Sequence, residues 1–191
     1  MTDKVTFVWV DIETTGLIPT LDDILEIAIV LTNENLKVID TFNHSVHYSQ
    51  EDLKESMSDY VREMHTTSGL LTEVTQSIFS VYSGALLEQL ALTFLMSHQV
   101  PAGSLPMCGN SVHFDRNFLK VHMPDLEKHF HYRNIDISTI AELMKVWSPE
   151  LTFKKKKAHR ALDDIRESIA ELDYYKMKGI MSEYTIIPKG D

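Results

Sequence analysis

The sequence predicts a single α/β domain, a mixed β-sheet flanked by α-helices, on three observations. Residues 6–10, 24–32 and 36–46 are runs of strand length, the first two apolar and β-branched and the third alternating, and they follow one another across short turns. The stretch from 58 to 96 changes to helical spacing. Beyond Pro106, short strand-like runs alternate with helical ones. Three consecutive antiparallel-type strands followed by alternating strands and helices make a layered fold around one sheet.

Taken in order, the turn between the first two strands falls at Thr14, Thr15 and Gly16, and the next at Asn33, Glu34 and Asn35. Residues 58–77 read as short helices broken around Ser68-Gly69. Residues 81–96 carry Val81, Ala85, Leu86, Leu90 and Phe94 at helical intervals. A strand at 107–110 leads into a helix over 112–122, and Pro124 opens another. A strand at 132–137 precedes a helix ending near Trp147. The last helix, about 160–177, is expected to bury Leu162, Ile165, Ile169 and Leu172. The domain is expected to span 1–178, leaving 179–191 as a tail with no assigned role.

Composition removes several function classes. With 43% hydrophobic and 24% charged residues the chain can bury a core, so general disorder is excluded. No stretch reaches the roughly 18 apolar residues of a membrane span, and the first ten residues lack a cleavable leader pattern. A cytoplasmic protein with no membrane partner is expected. The single cysteine, Cys108, excludes an internal disulfide and a cysteine-based zinc site, so any metal must be held by oxygen and imidazole. A formal charge of −10 argues against a broad basic groove and for a short phosphate-bearing substrate held at a few points or through metal ions.

Chemistry concentrates in three places. Asp11 and Glu13 are two apart at the end of the first strand, so both carboxylates project from one face. Side by side they repel unless a cation lies between them, and their hard oxygens suit Mg²⁺ or Mn²⁺. A strand end merely reaching solvent would look the same. Asp115 falls in the first turn of the helix after Cys108-Gly109-Asn110-Ser111, where an aspartate can also simply answer the helix dipole. In His159-Arg160-Ala161-Leu162-Asp163-Asp164, a histidine precedes the last helix and two aspartates occupy its first turn. Adjacent helical residues lie about 100° apart, so periodicity leaves open which aspartate faces a site. Each feature has an ordinary structural reading; their joint occurrence points to a metal-dependent site.

The motifs D-x-E-T-T-G-L, N-x-x-x-x-D and H-x-A-x-x-D resemble those of the DEDDh 3′-to-5′ exonucleases, which share a ribonuclease H-like fold. The strings His65-Thr66-Thr67-Ser68-Gly69-Leu70, Met107-Cys108-Gly109-Asn110-Ser111, Met123-Pro124-Asp125-Leu126-Glu127, His131-Tyr132-Arg133 and Ala161 through Ser168 resemble the oligoribonuclease branch specifically, in order, over about residues 5–175. Two positions depart from that branch: Tyr60 stands where a tryptophan is usual, and Thr14 where a methionine is typical.

The resemblance implies that Asp11, Glu13, Asp115 and Asp164 are the acidic residues of the site and that His159 takes a proton from the attacking water. It implies two divalent ions, Mg²⁺ or Mn²⁺, with Asp11, Glu13 and Asp164 on the first, Asp11 also reaching the second, and Asp115 in support. Leu17 would wedge between the last two bases, Tyr60 would meet the 5′ base and His65 the terminal sugar. Ser111, Arg133 and Ser138 would cap a dinucleotide's 5′ phosphate, with Tyr132 supplied by the second subunit of a homodimer. As strand neighbours, Tyr132 and Arg133 are expected to diverge. Residues 154–157, all lysine, would line the approach to His159. The implied activity is 3′-to-5′ degradation of very short RNA, dinucleotides above all, to nucleoside 5′-monophosphates. A related exonuclease acting on tRNA 3′ ends or single-stranded DNA remains open, as does a nucleotide-binding protein without catalysis.

Overall fold

The computed structural model of the chain describes residues 4–53, 56–78, 80–81, 83–155 and 159–180. Five strands form one mixed sheet in the order β3-β2-β1-β4-β5: β1 (Phe7–Thr14), β2 (Ile24–Thr32), β3 (Val38–Ser45), β4 (Pro106–Gly109) and β5 (His131–Asp136). The first three pair antiparallel as a meander, whereas β4 joins β1 and β5 joins β4 in parallel. The carboxyl ends of β1, β4 and β5 therefore open on one edge of the sheet, the usual ligand side of parallel strands.

The central strands are buried on both faces, so β2 reads as a continuous apolar run except for Glu26. On β1, Val8, Val10 and Ile12 join a core with β2, Leu87, Ala91, Leu95, Phe118 and Leu126. Trp9 packs on the opposite face with Ala28, Val30, Ile137, Ala161 and Ile165. Asp11 and Glu13 share the face of Trp9. The first core is covered by α3 (Gly84–Ser97), α4 (Val112–His122) and α5 (Pro124–His129), the second by α6 (Ile137–Trp147) and α7 (Ala161–Tyr175). At Gly109, where β4 runs beside β1, a Cβ would lie 2.8 Å from the Val10 carbonyl oxygen, so glycine is required there.

Helices α1 (Asp59–Thr67) and α2 (Leu70–Gln76) break at Ser68-Gly69 as expected. Three expectations are corrected. β1 runs to Thr14, beyond residue 10, because β2 keeps pairing with it as far as Ile24, past an irregularity at Glu13. Helix α3 starts at Gly84, after Ser83 accepts from the Leu86 N–H, and buries Leu87, Ala91 and Leu95, while Leu86 and Leu90 face outward. That helix is apolar nearly all round, so spacing alone cannot name its buried face. On α7 the wholly buried positions are Ala161, Ile165, Ser168, Glu171 and Tyr175, with Leu162, Ile169 and Leu172 only partly covered. A π-helical turn, Lys176–Ile180, follows it, and 181–191 lie outside the described residues. No helix among the described residues is long and apolar enough to cross a membrane.

Candidate active site

Asp11 and Glu13 stand opposite Ala28 and Glu26 of β2 and point toward the first turn of α7. There Asp164 meets them: one oxygen from each of Asp11, Glu13 and Asp164 lies within 4.8 Å of the others. Asp163 turns away and pairs with Arg166 at 2.9 Å, which resolves what periodicity left open. Asp115, buried at the start of α4, is not in this trio. Its Oδ1 accepts the Ile12 N–H at 3.1 Å, bracing β1 between the two carboxylates. His159 sits just before α7 in a left-handed conformation, φ 54°, near enough to Asp164 to oppose the upward push of burial on that carboxyl.

Burial, with Asp115, Glu13 and Asp164 adding repulsion, drives the Asp11 carboxyl well above the usual carboxylate range. Burial and the Asp164 and Glu26 charges push Glu13 up to about 8, with Arg160 pulling the other way. Burial likewise pushes Asp115 to about 8 against its two backbone hydrogen bonds. Carboxylates crowded in this way favour either protons or a cation, and an all-oxygen donor set without a thiol fits a hard divalent ion. Raised folded-state values imply stability that is complete below the unfolded pKa values, about 4, and lost as pH rises through about 8. The metal-free protein is therefore expected to melt at lower temperature at pH 8 than at pH 5, and a divalent ion to restore it at pH 8. Metal affinity should fall by about tenfold per pH unit per displaced proton below pH 8. Melting curves with and without Mn²⁺ check this; a pH-independent metal-free transition would contradict it.

His65 is wholly buried, and burial lowers its pKa. Its Nε2–H donates to the Thr14 carbonyl at 2.9 Å, which leaves Nδ1 as a lone pair, without a hydrogen-bond partner, 4.0 Å from Glu13. That approach is therefore not an ion pair. The ring presents no exposed surface for the sugar contact that the resemblance implied; it props the end of β1 from behind.

Leu17, on the β1–β2 loop, is 78% exposed, and Tyr60, at the start of α1, is 73% exposed. The loop is shaped by Asp22, which accepts from the Ile18 N–H and fills the space a Cβ on Gly16 would need. His122 at the end of α4 holds the same loop through the Pro19 carbonyl at 2.8 Å.

Ser111 and Ser138 come together at the starts of α4 and α6, joined by Asp136, which the sequence reading missed. Its carboxylate accepts from the backbone of Ser111, Val112 and Ser138, each at 3.0 Å, and from the Ser138 hydroxyl. Its signal was the D-x-S of a helix cap just after a strand. Tyr132 and Arg133 do not diverge. Pro106 pairs with His131 and Met107 with Asn134, so these two residues are an insertion in the ladder. Strand alternation fails in such a bulge, and the Arg133 guanidinium lies over the Tyr132 ring at 5.5 Å. Arg116 ties the bulge down by donating to the His131 carbonyl and to Glu127. Of the lysine run, Lys155 pairs with Glu171 at 2.8 Å, and Lys156 and Lys157 lie outside the described residues. A cavity of about 1030 Å³ near Lys4, Lys37 and Gln99 lies at the other end of β1 and borders none of these residues.

Comparison with known proteins identifies the family and the fold. The RNase T exonuclease family model matches residues 8–172. A protein of Shewanella loihica named oligoribonuclease is 46% identical over 178 residues, covering 92% of this chain and 96% of its own. One of Nitrosomonas europaea with the same name is 44% identical over 176 residues, covering 91% and 95%. Among solved structures, the zinc-bound complex of E. coli exonuclease I with single-stranded DNA superposes with a TM-score of 0.63 at 16% identity over 92% of this chain. The chain spans 41% of that protein's length. The RNase domain of yeast Pop2 gives 0.63 at 10% identity, covering 92% of this chain and 78% of its own. These two likenesses show the fold alone.

Proposed function

We propose that this chain, which belongs to the oligoribonuclease family of exonucleases, hydrolyses short RNA from the 3′ end, with dinucleotides its preferred substrates and nucleoside 5′-monophosphates its products. The observation that carries this reading is the convergence of Asp11, Glu13 and Asp164, partly or wholly buried and mutually repelling, beside His159.

The family and the acidic cluster support use of divalent metal. In our reading Asp11, Glu13 and Asp164 hold two Mg²⁺ or Mn²⁺ ions, with Asp115 keeping β1 in place. Such ions supply charge for the scissile phosphate and for an acidified water. The remaining work falls to the chain. His159 accepts the proton of the attacking water. Leu17 wedges against the terminal bases and Tyr60 stacks on the 5′ base, roles that their exposed apolar and aromatic side chains support. His65 serves by holding the Thr14 carbonyl and thereby the position of Glu13. Ser111 and Ser138, ordered by Asp136, cap the 5′ phosphate with Arg133. We further propose a cytoplasmic homodimer in which the exposed Tyr132 completes the partner's pocket; its place on a bulge at the sheet edge supports this.

Turnover of 5′-phosphorylated RNAs of two to eight nucleotides, measured side by side, tests the length preference. Dinucleotides should be turned over fastest. Arg133→Ala should cost the dinucleotide about tenfold or more, the loss of a charge-assisted phosphate contact, and longer oligomers much less. Equal rates at all lengths, or faster turnover of single-stranded DNA, would favour a broader exonuclease.

A further inference from the structure

Glu26 is fully buried near the start of β2, directly opposite Glu13. A carboxylate in that place needs a partner. Arg160 supplies one: its Nε donates to Glu26 Oε2 at 3.2 Å and its Nη2 to Oε1 at 2.8 Å, a bidentate pair. The same Nη2 reaches Glu73 Oε2 on α2 at 2.7 Å. Glu26 Oε2 also accepts the N–H of Ala161, the first residue of α7, at 3.0 Å. One guanidinium thus joins the sheet, the helix pair α1–α2 and the start of α7.

The segment it holds is the one that carries the proton acceptor. Arg160 is the N-cap residue of α7 but makes no capping bond with its own side chain; the cap comes from Glu26 across the sheet. His159, immediately before it, is in the left-handed region at φ 54°. A residue with a β-carbon is strained there and stays only where its surroundings over-determine it. The side chain of Arg160, the next residue, is anchored to Glu26 and Glu73.

We propose that Arg160, clamped by Glu26 and Glu73, is a positioning residue that fixes the left-handed turn at His159 and so holds its imidazole beside Asp164, the α7 member of the carboxylate trio. The clamp also makes that placement depend on the seating of α1–α2, which carries Tyr60 and His65. The proposal rests on His159 acting as the proton acceptor.

The test is a double-mutant cycle on the full chain, with a 5′-phosphorylated RNA dinucleotide and saturating Mn²⁺. Arg160→Gln should lower kcat at saturating Mn²⁺ by about 10- to 100-fold, the cost of a misplaced catalytic group, with KM for the dinucleotide within about twofold of wild type. Arg160→Lys, which cannot grip both carboxylates, should recover only part of the loss. In a His159→Ala background, Arg160→Gln should change kcat by no more than about twofold, because nothing is left to aim. Losses that multiply at saturating Mn²⁺ would overturn the proposal in favour of a role in folding or ligand support. Full activity in His159→Ala alone would refute the proton-acceptor reading itself, a separate result. Should Arg160→Gln fail to fold, Glu73→Gln leaves the buried pair whole and carries the test. Its expected loss is about threefold or more in kcat, absent in the His159→Ala background; an unchanged kcat would overturn the proposal.

Discussion

Asp11→Asn is expected to reduce turnover of an RNA dinucleotide by at least about 10³-fold, the several kcal/mol that metal-centred charge stabilisation supplies. Asp11 lies where Asp115, Glu13 and Asp164 all act on it, so no other single carboxylate can take its place. The amide keeps the side chain's shape while removing its charge, which separates ligand loss from a packing defect. The same substitution relieves repulsion in the metal-free protein. Its melting temperature at pH 8 without metal should not fall below that of wild type, and the stabilisation by Mn²⁺ should largely vanish. A site built for charge is stabilised when the charge is removed, at the expense of function. Initial rates and melting curves with a metal titration check both halves. Lost activity with metal stabilisation intact would mean that Asp11 acts on substrate rather than on an ion.

His159→Ala is expected to lower kcat by about 10² to 10⁴, the usual share of a general base, and to leave Mn²⁺ affinity nearly unchanged. The geometry separates these readouts. The three mutually close carboxylate oxygens come from Asp11, Glu13 and Asp164, while His159 stands on the backbone turn just ahead of α7. Calorimetry with Mn²⁺ beside single-turnover rates decides the matter: affinity that collapses together with the rate would make His159 a ligand.

Much of the fold was legible because local chemistry and tertiary demand agree there. Pro124 opens α5, Ser68-Gly69 ends one helix and begins another, and β-branched runs form the central strands. Legibility failed where a local pattern admits two answers. α3 is apolar on too many sides for spacing to choose Leu87, Ala91 and Leu95 over Leu86 and Leu90. At Tyr132 and Arg133 a bulge cancels the alternation from which their directions were read.

The candidate site divides in the same way. The sequence by itself determined the chemistry: which side chains are acidic, that Asp11 and Glu13 leave β1 on one face, and that a histidine precedes α7. Those are properties of residue type and of the two-residue period of a strand. Only the tertiary structure decided that Asp164 rather than Asp163 joins the trio, that His65 is sealed behind Glu13, and that Glu26, Arg160 and Asp136 hold the turns around it. The physical reason is distance along the chain. Glu26 and Arg160 stand 134 residues apart and Asp115 and Ile12 103 apart. Each bond exists because packing of the sheet and helices expels water from between the partners, a condition that no local period records.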